Sequence, residues 1–196
     1  MNSIKLIVGL ANPGFQYART RHNVGSWFVR RLATHYQKNF QKNSDVFGFT
    51  TKLVILGYDI ILLIPDTFMN VNGKSVNAIT KLYQIVPEQI LVVHDDFSLN
   101  PGTAKFKVGG GNNGHNGIKN IISYFGNFKR LRIGIGIPPN RNKITNYVLN
   151  SPSNFESKLI MSAIEESIYC TVLVLKDGII KAMNRLHTFN ASNYIN

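Results

Sequence analysis

The sequence is poor in cysteine and contains no long apolar run. Cys170 is the only cysteine among 196 residues, which excludes an intramolecular disulfide and a cysteine-rich zinc site. No segment approaches the roughly 18 consecutive apolar residues of a membrane span, and the first ten residues lack the basic-then-apolar order of a signal peptide. We therefore expect a soluble, cytoplasmic protein without a membrane partner, in which Cys170 is a packed thiol on a buried helix.

Acidic residues are also scarce. The chain has 10 Asp and Glu against 22 Lys and Arg, which gives a formal net charge of +12. An excess of this size favours binding to the phosphate backbone of nucleic acids, although it also occurs in proteins that it merely keeps soluble. Apolar residues make up 44% of the chain, which is enough for a sizeable core and argues against disorder.

Short apolar strands alternate with amphipathic helices. Strands are predicted at 4–9, at 47–55 and 60–64 as a hairpin, and at 90–93, 103–108 and 131–137. Helices are predicted at about 23–37, 76–83 and 118–124, and as a pair after Pro152 with a break near Gly178. This alternation predicts a single α/β domain over 1–196, with three layers in which helices flank a mixed β-sheet.

Two glycine-containing motifs fall short of nucleotide-binding signatures. Residues 9–14 follow the first strand, but Ala11 stands where G-x-G-x-x-G requires its second glycine. Residues 72–75 resemble the end of a phosphate-binding loop, but Phe68 occupies the position of the partner glycine. A nucleotide-dependent enzyme is therefore disfavoured, and Asn72 is better explained as a helix cap or turn residue.

His22 is the strongest catalytic candidate on local grounds. It lies directly before the helix predicted at 23–37, where the positive end of the helix dipole disfavours imidazolium and keeps the ring neutral near pH 7. A neutral imidazole can accept a proton from water, and a nearby carboxylate can orient it. The local pattern also permits a helix cap. Asn12 lies in a turn after the first strand, and the local pattern there is equally compatible with a structural and a functional role.

Other chemistries have weaker support. No G-x-S-x-G nucleophile elbow occurs in the sequence. His94, Asp95 and Asp96 offer donor atoms that suit a divalent ion, but adjacent residues of a strand point to opposite faces. These three side chains cannot converge on one ion without a bend, so a metal site is disfavoured and no cofactor is expected.

Several longer motifs occur together and in order. Ile-Val-Gly-Leu-Ala-Asn-Pro-Gly at 7–14, Tyr17, and Thr-Arg-His-Asn-Val-Gly at 20–25 resemble the opening signature of bacterial peptidyl-tRNA hydrolases. The likeness continues at 65–70, 72–74, 94–96, 105–107 with the glycine-rich stretch 109–117, 130–136 and 181–187. The likeness extends from about residue 4 to residue 189. An ordered set of motifs over this length is far more specific than any single motif.

The resemblance implies a fold, a reaction and roles for particular residues. The fold would be a single α/β domain with a twisted mixed sheet, usually monomeric. The reaction would be hydrolysis of the ester that joins a peptide to the terminal ribose of tRNA, without metal or cofactor. His22 would be the general base and Asp95 the carboxylate that orients it. Substrate-contacting roles would fall to five residues: Asn12, Tyr17, Met69, Asn70 and Asn116.

The partner implied is peptidyl-tRNA, bound through its acceptor end and its nascent peptide. Four cations alternate along two predicted strands and are expected to contact phosphates without selecting a base sequence: Lys105, Lys107, Arg130 and Arg132. The same residues could equally be ordinary solvated charges. Glycines in 109–117 would let the neighbouring loop flex or approach the RNA closely.

The chain departs from the family pattern at two points. Asn112-Asn113 stands where a further glycine is common, which predicts a less flexible loop or an altered phosphate contact, and Asp96 stands where glutamate is frequent. A non-catalytic RNA-binding protein on the same scaffold is the alternative hypothesis. Retention of His22 and Asp95 favours the enzyme, because phosphate binding requires neither.

Overall fold

A computed structural model describes residues 3–138, 140 and 143–193. Its strands are β1 (Leu6–Gly9), β2 (Gln41–Asn43), β3 (Gly48–Ile55), β4 (Tyr58–Pro65), β5 (Ile90–Asp96), β6 (Ala104–Val108) and β7 (Lys129–Gly134). Its helices are α1 (Val24–His35), α2 (Asn72–Tyr83), α3 (Asn116–Phe125), α4 (Ile144–Val148), α5 (Asn154–Asp177) and α6 (Ile179–Leu186).

The strands form one seven-stranded mixed sheet in the order β2-β3-β4-β1-β5-β7-β6. The four central strands β4, β1, β5 and β7 are parallel, and antiparallel strands extend the sheet on both sides. The predicted α/β class with a mixed sheet flanked by helices is confirmed. Parallel central strands direct all their carboxyl ends to one edge of the sheet, where α/β folds place their sites.

Two apolar clusters cover the two faces of the sheet, so helices and sheet form three layers. Alternate residues of β1 divide between them, with Ile7 facing the cluster that includes Phe28 of α1 and Ile164 of α5. Leu6 and Val8 face the cluster that includes Val76 of α2 and the apolar side of α3. Burial of the strands on both faces explains why β1 and β5 are apolar without alternation.

The predicted helices and strands are found with shifted ends. The last strand covers Lys129–Gly134 rather than 131–137, because it pairs with β5 from Lys129 onward and its first residues are polar. Two elements were not predicted from the sequence, namely β2, which is short and polar, and α4, which has only five residues. In the described part of the chain, no helix combines the length and the apolar character needed to cross a bilayer.

Cys170 is fully buried in α5, as expected for a packed thiol. Burial and the neighbouring carboxylate of Glu166 raise the pKa of this thiol to about 12, so it stays protonated and unreactive.

Candidate active site

A cavity of about 300 Å³ opens at the carboxyl ends of β1 and β5. Its walls come from the loop after β1, the start of α1, the residues before α2 and the glycine-rich loop before α3. Helix α4 closes one side through Ile144 and Val148. Six of the seven residues expected at the catalytic and peptide sites line it: Asn12, His22, Met69, Asn70, Asp95 and Asn116.

Two glycines bring the start of α1 against the sheet. A Cβ atom on Gly25 would lie 2.3 Å from the carbonyl oxygen of Val93 in β5, and one on Gly9 would lie 2.4 Å from the carbonyl oxygen of Gly25. Only glycine permits backbones to approach this closely. The residues just before α1 therefore reach the end of β5, and His22 comes next to Asp95.

His22 and Asp95 are 73 residues apart in sequence and in direct contact. Nδ1 of His22 lies 2.9 Å from Oδ1 of Asp95, and both residues are buried. Nε2 of His115 also lies 2.9 Å from the same oxygen. Nδ1 of His115 accepts hydrogen bonds from the backbone amides of Gly117 and Ile118 at the start of α3, so the His115 proton resides on Nε2 and is donated to Asp95.

The charge of Asp95 sets the protonation of this cluster. Burial raises the pKa of the Asp95 carboxyl, but His22 and His115 outweigh burial and hold that pKa far below its usual range. Ionised Asp95 accepts hydrogen bonds, so Nδ1 of His22 carries a proton and Nε2 keeps its lone pair. The side chain of His22 retains a small exposed fraction and borders the cavity.

The expectation that the helix dipole keeps His22 neutral is wrong in its direction. Burial lowers the pKa of His22 and is the largest single effect, but the charge of Asp95 and its hydrogen bond together raise the pKa above 6.5. His22 does not cap α1 either, because the residue at the cap is Asn23 and its side chain does not bond to the helix.

Asparagine side chains divide into those that support the loop after β1 and those that face the cavity. Asn23 holds Asn12 by two bonds, accepting from the Asn12 amide at 2.9 Å and donating to its carbonyl at 3.0 Å. Asn72 donates to the carbonyl of Ala11 and accepts from Thr67, so it braces this loop and is not a helix cap. No role was predicted for Asn23 from the sequence, because asparagine is common in turns for backbone reasons alone.

The side chain of Asn12 is fixed at its oxygen. Its Oδ1 accepts the backbone amide of Met69 at 2.9 Å, and the residue lines the cavity. Asn70 and Asn116 are exposed at the rim. Tyr17 lies outside the cavity and packs edge-to-face on Phe68 of its wall, with ring centroids 6.4 Å apart.

The four cations expected to contact RNA lie on one face of neighbouring strands. Lys105 pairs in register with Arg132, and Lys107 pairs with Arg130, across the antiparallel β6 and β7. Both lysines are half-buried at the edge of the sheet. Arg132 forms an ion pair with Asp96 at 2.7 Å and donates to Ser98 at 3.1 Å.

Arg130 differs from the other three cations in being almost fully buried. It is 3% exposed, and its guanidinium donates to the carbonyl oxygens of Gly109, Gly110 (2.8 Å) and Gly111 (2.9 Å). Arg130 therefore holds the glycine-rich loop in place through hydrogen bonds to its backbone carbonyls. The sequence pattern could not distinguish this buried arginine from an exposed one.

Asn113 adopts a left-handed backbone conformation, with φ of +50°. Asparagine tolerates this conformation better than most residues, which makes it a compatible substitute for glycine. Its amide donates to Asp96 at 3.3 Å and reaches Ser98 at 3.5 Å, while Asn112 accepts the amide of Gly114 at 2.8 Å. Side chains that glycine lacks thus tie this loop to the end of β5.

Among the described residues, one group has the residue types to hold a metal ion, namely His22, Asp95 and His115. Their donor atoms lie within 4.8 Å of one another, but both imidazole nitrogens that face Asp95 already carry protons hydrogen-bonded to it. An ion would have to displace both protons. His94 and Asp96 do not join this group, which agrees with strand alternation.

The chain closely resembles known proteins along nearly its whole length. The family described as peptidyl-tRNA hydrolase matches residues 6–194. Peptidyl-tRNA hydrolase of Pectobacterium atrosepticum is 54% identical over 195 residues, covering 98% of this chain and 100% of the relative. The Yersinia enterocolitica protein of the same name is 54% identical over 194 residues, covering 97% and 98%.

Solved structures agree with these relatives. A crystal structure of peptidyl-tRNA hydrolase from Acinetobacter baumannii superposes with a TM-score of 0.93 at 41% identity, covering 97% of each chain. A point mutant of the Acinetobacter baumannii protein superposes with a TM-score of 0.94 at the same identity and coverage.

Proposed function

The chain belongs to the peptidyl-tRNA hydrolase family and is an enzyme that hydrolyses peptidyl-tRNA, and we propose that it does so by activating water with the His22 imidazole. The observation that carries this proposal is the 2.9 Å contact between Nδ1 of His22 and Asp95. With its proton on Nδ1, the ring offers the Nε2 lone pair to a water molecule in the cavity.

The reaction follows from this arrangement. Nε2 of His22 takes a proton from water as the water oxygen adds to the ester carbonyl, and ionised Asp95 stabilises the imidazolium. The tetrahedral intermediate then collapses by breaking the bond to the ribose oxygen. That oxygen receives the proton from His22, which releases tRNA and peptide and restores the base. These steps require no redox change.

Asn12 is the best placed donor for the oxyanion. Stabilising a developing negative charge requires donors that are fixed before the reaction. The side-chain amide of Asn12 is oriented by the backbone amide of Met69, and the backbone of Asn12 is held by the side chain of Asn23. The exposed amides of Asn70 and Asn116 would bind the peptide backbone, whose groups are common to nascent chains of every sequence. Tyr17 and Met69 would support this peptide site.

His115 has a positioning role in this proposal. Its proton, fixed on Nε2 by the start of α3, gives Asp95 a second hydrogen bond on the oxygen that also receives His22. This keeps the carboxylate ionised and its rotamer fixed. We assign RNA phosphate contacts to Lys105 and Lys107, assisted by Arg132, and loop support to Arg130.

The protein would act as a cytoplasmic monomer with one domain. What supports a single domain is that the cavity residues converge on one edge of one sheet.

Release of N-acetylated amino acid from tRNA by the purified protein tests the base assignment. His22→Ala should lower kcat at least about 100-fold, as expected when a general base is removed, and a chelator should leave turnover unchanged. His35→Ala, on the exposed end of α1, is the matched control and should retain full activity. Comparable activity in His22→Ala and wild type would overturn the assignment.

A further inference from the structure

His94 is a buried histidine that the proposed mechanism does not use. It precedes Asp95 on β5, is 2% exposed, and donates from Nδ1 to the backbone carbonyl of Asp95 at 2.7 Å. With its proton on Nδ1, the ring has a lone pair on Nε2. Nε2 is buried and has no hydrogen-bond partner among the described residues. Buried polar atoms without a partner are rare in folded proteins and require an explanation.

The His94 ring is a neutral acceptor. Burial and the neighbouring His115 lower the pKa of His94 to about 3, so the imidazole stays uncharged across the physiological range. An uncharged ring with its proton committed to Asp95 can accept a hydrogen bond but cannot attract a phosphate. Its partner must therefore supply a donor group.

His94 lies between the catalytic cavity and the cationic strands. It borders the cavity that contains His22 and also a second cavity of about 300 Å³ lined by Lys107, Arg130 and Arg132. Sheet register places it beside Arg132 on β7, which in turn lies beside Lys105 on β6, all on one face. This row leads from cations that suit phosphates to the site of ester hydrolysis.

We infer that Nε2 of His94 accepts a hydrogen bond from a neutral donor of the terminal nucleoside of tRNA. The inference rests on the proposed function, because that nucleoside lies between the last phosphate and the scissile ester. Its two candidate donors are the ribose hydroxyl adjacent to the ester and the amino group of the terminal adenine.

The nucleoside reaches His94 through the wall that the two cavities share. Asn112 and Asn113 belong to both cavities, and Asn113 is held to Asp96 and Ser98 only by long contacts of 3.3 and 3.5 Å. A shift of the Asn113 side chain, whose contacts are the long ones, opens this junction toward the ring. His94 therefore helps to select the RNA end without touching the peptide.

Two substitutions separate this role from a structural one. An asparagine amide can occupy the position of Nδ1, so His94→Asn keeps the donation to Asp95 and removes the acceptor. A glutamine amide reaches the position of Nε2, so His94→Gln restores the acceptor. We expect His94→Asn to raise KM about 3- to 10-fold, the usual effect of one neutral hydrogen bond, and His94→Gln to rescue it in part, with kcat little changed in both.

Modified substrates identify the donor. Wild type and His94→Asn are compared on tRNA ending in adenosine, in 2′-deoxyadenosine and in purine riboside, each carrying an N-acetylated amino acid on the 3′ oxygen. The modification that removes the donor bound by His94 should raise the wild-type KM about 3- to 10-fold. The same modification should leave the KM of His94→Asn unchanged, because that variant lacks the acceptor.

The inference would be overturned if both modifications raised the KM of wild type and of His94→Asn equally. It would also be overturned if His94→Gln and His94→Asn were both folded and the KM of His94→Gln were no lower. Circular dichroism and thermal unfolding check the fold. Failure of the proposed function has a different signature, namely activity retained by His22→Ala.

Discussion

Asp95 orients two histidines through a single carboxylate oxygen. His22 faces the cavity and His115 faces the start of α3, and both donate to Oδ1 at 2.9 Å. The protonation of each ring is therefore determined by a neighbour: Asp95 for His22, and the amides of Gly117 and Ile118 for His115. Such fixed tautomers let a base work without first rearranging its protons.

The raised pKa of His22 predicts the acidic limb of the pH profile. The base acts when unprotonated, so kcat/KM is at its plateau above the pKa of His22 and is lost as pH falls through it, with a midpoint above 6.5. In Asp95→Asn the effects that raise the pKa disappear while burial remains. The midpoint should then move below 6.5, and the plateau should fall at least about 10-fold because the tautomer is no longer fixed.

Kinetics between pH 5 and 9 measure both quantities. Asp45→Asn, an acidic residue outside the cavity, serves as the control and should keep the wild-type midpoint. Identical midpoints in wild type and Asp95→Asn would contradict the role of Asp95.

The sequence predicted some side chains of the site better than others. Motif order identified His22, Asp95 and Asn12, which the structure brings together in one cavity. Local chemistry alone gave the wrong direction for the pKa of His22, because the Asp95 charge comes from a strand 73 residues away. His115 was missed since histidine is not a common helix cap, and only the fold brings its ring to Asp95.

At the scale of secondary structure, the close approach of α1 to β5 brings His22, which lies just before α1, next to Asp95. Gly25→Ala would place a methyl group 2.3 Å from the Val93 carbonyl, which belongs to rigid backbone. We expect unfolding free energy to fall by about 1–3 kcal/mol, as for an overpacked core, and kcat to fall because His22 moves away from Asp95.

Thermal unfolding and steady-state kinetics check this prediction. For stability, Gly111→Ala is the matched control, because a Cβ there meets nothing within 4 Å and the backbone conformation is ordinary. Gly25→Ala with the stability and rate of wild type would show that the helix can shift without consequence.

Apolar periodicity predicted the long helices and the central strands because tertiary contacts agree with local preference there. Apolar periodicity failed where tertiary contacts and local preference disagree. The first residues of β7 are polar, and their strand conformation depends on pairing with β5. The three-residue β2 is likewise formed by pairing with β3, without an apolar pattern of its own.

At the scale of the whole molecule, the chain carries a net charge of +12, and four of its cations lie together where β6 pairs with β7: Lys105, Lys107, Arg130 and Arg132. Lys105→Ala with Lys107→Ala should weaken tRNA binding and flatten the plot of log affinity against log salt by about 0.7–0.9 per lost phosphate contact. Arg130 should behave differently, because its loss would disturb the glycine-rich loop.

Binding titrations at several salt concentrations measure the slope. Lys38→Ala with Lys176→Ala removes the same charge from exposed positions elsewhere and should leave the slope nearly unchanged. If both double variants changed the slope equally, the effect would be one of overall charge, and the RNA path would lie away from β6.

Strand β6 is also the last strand of the sheet in the described part of the chain, so one side of its backbone has no neighbouring strand. An unpaired strand edge can form backbone hydrogen bonds with the edge strand of another molecule, and lysines on the edge oppose this pairing. The charges of Lys105 and Lys107 would therefore have two effects: they would attract RNA, and they would oppose self-association through the edge of β6. Under the proposed RNA contacts, the variant that lacks both lysines would therefore lose RNA affinity and also self-associate more readily than wild type.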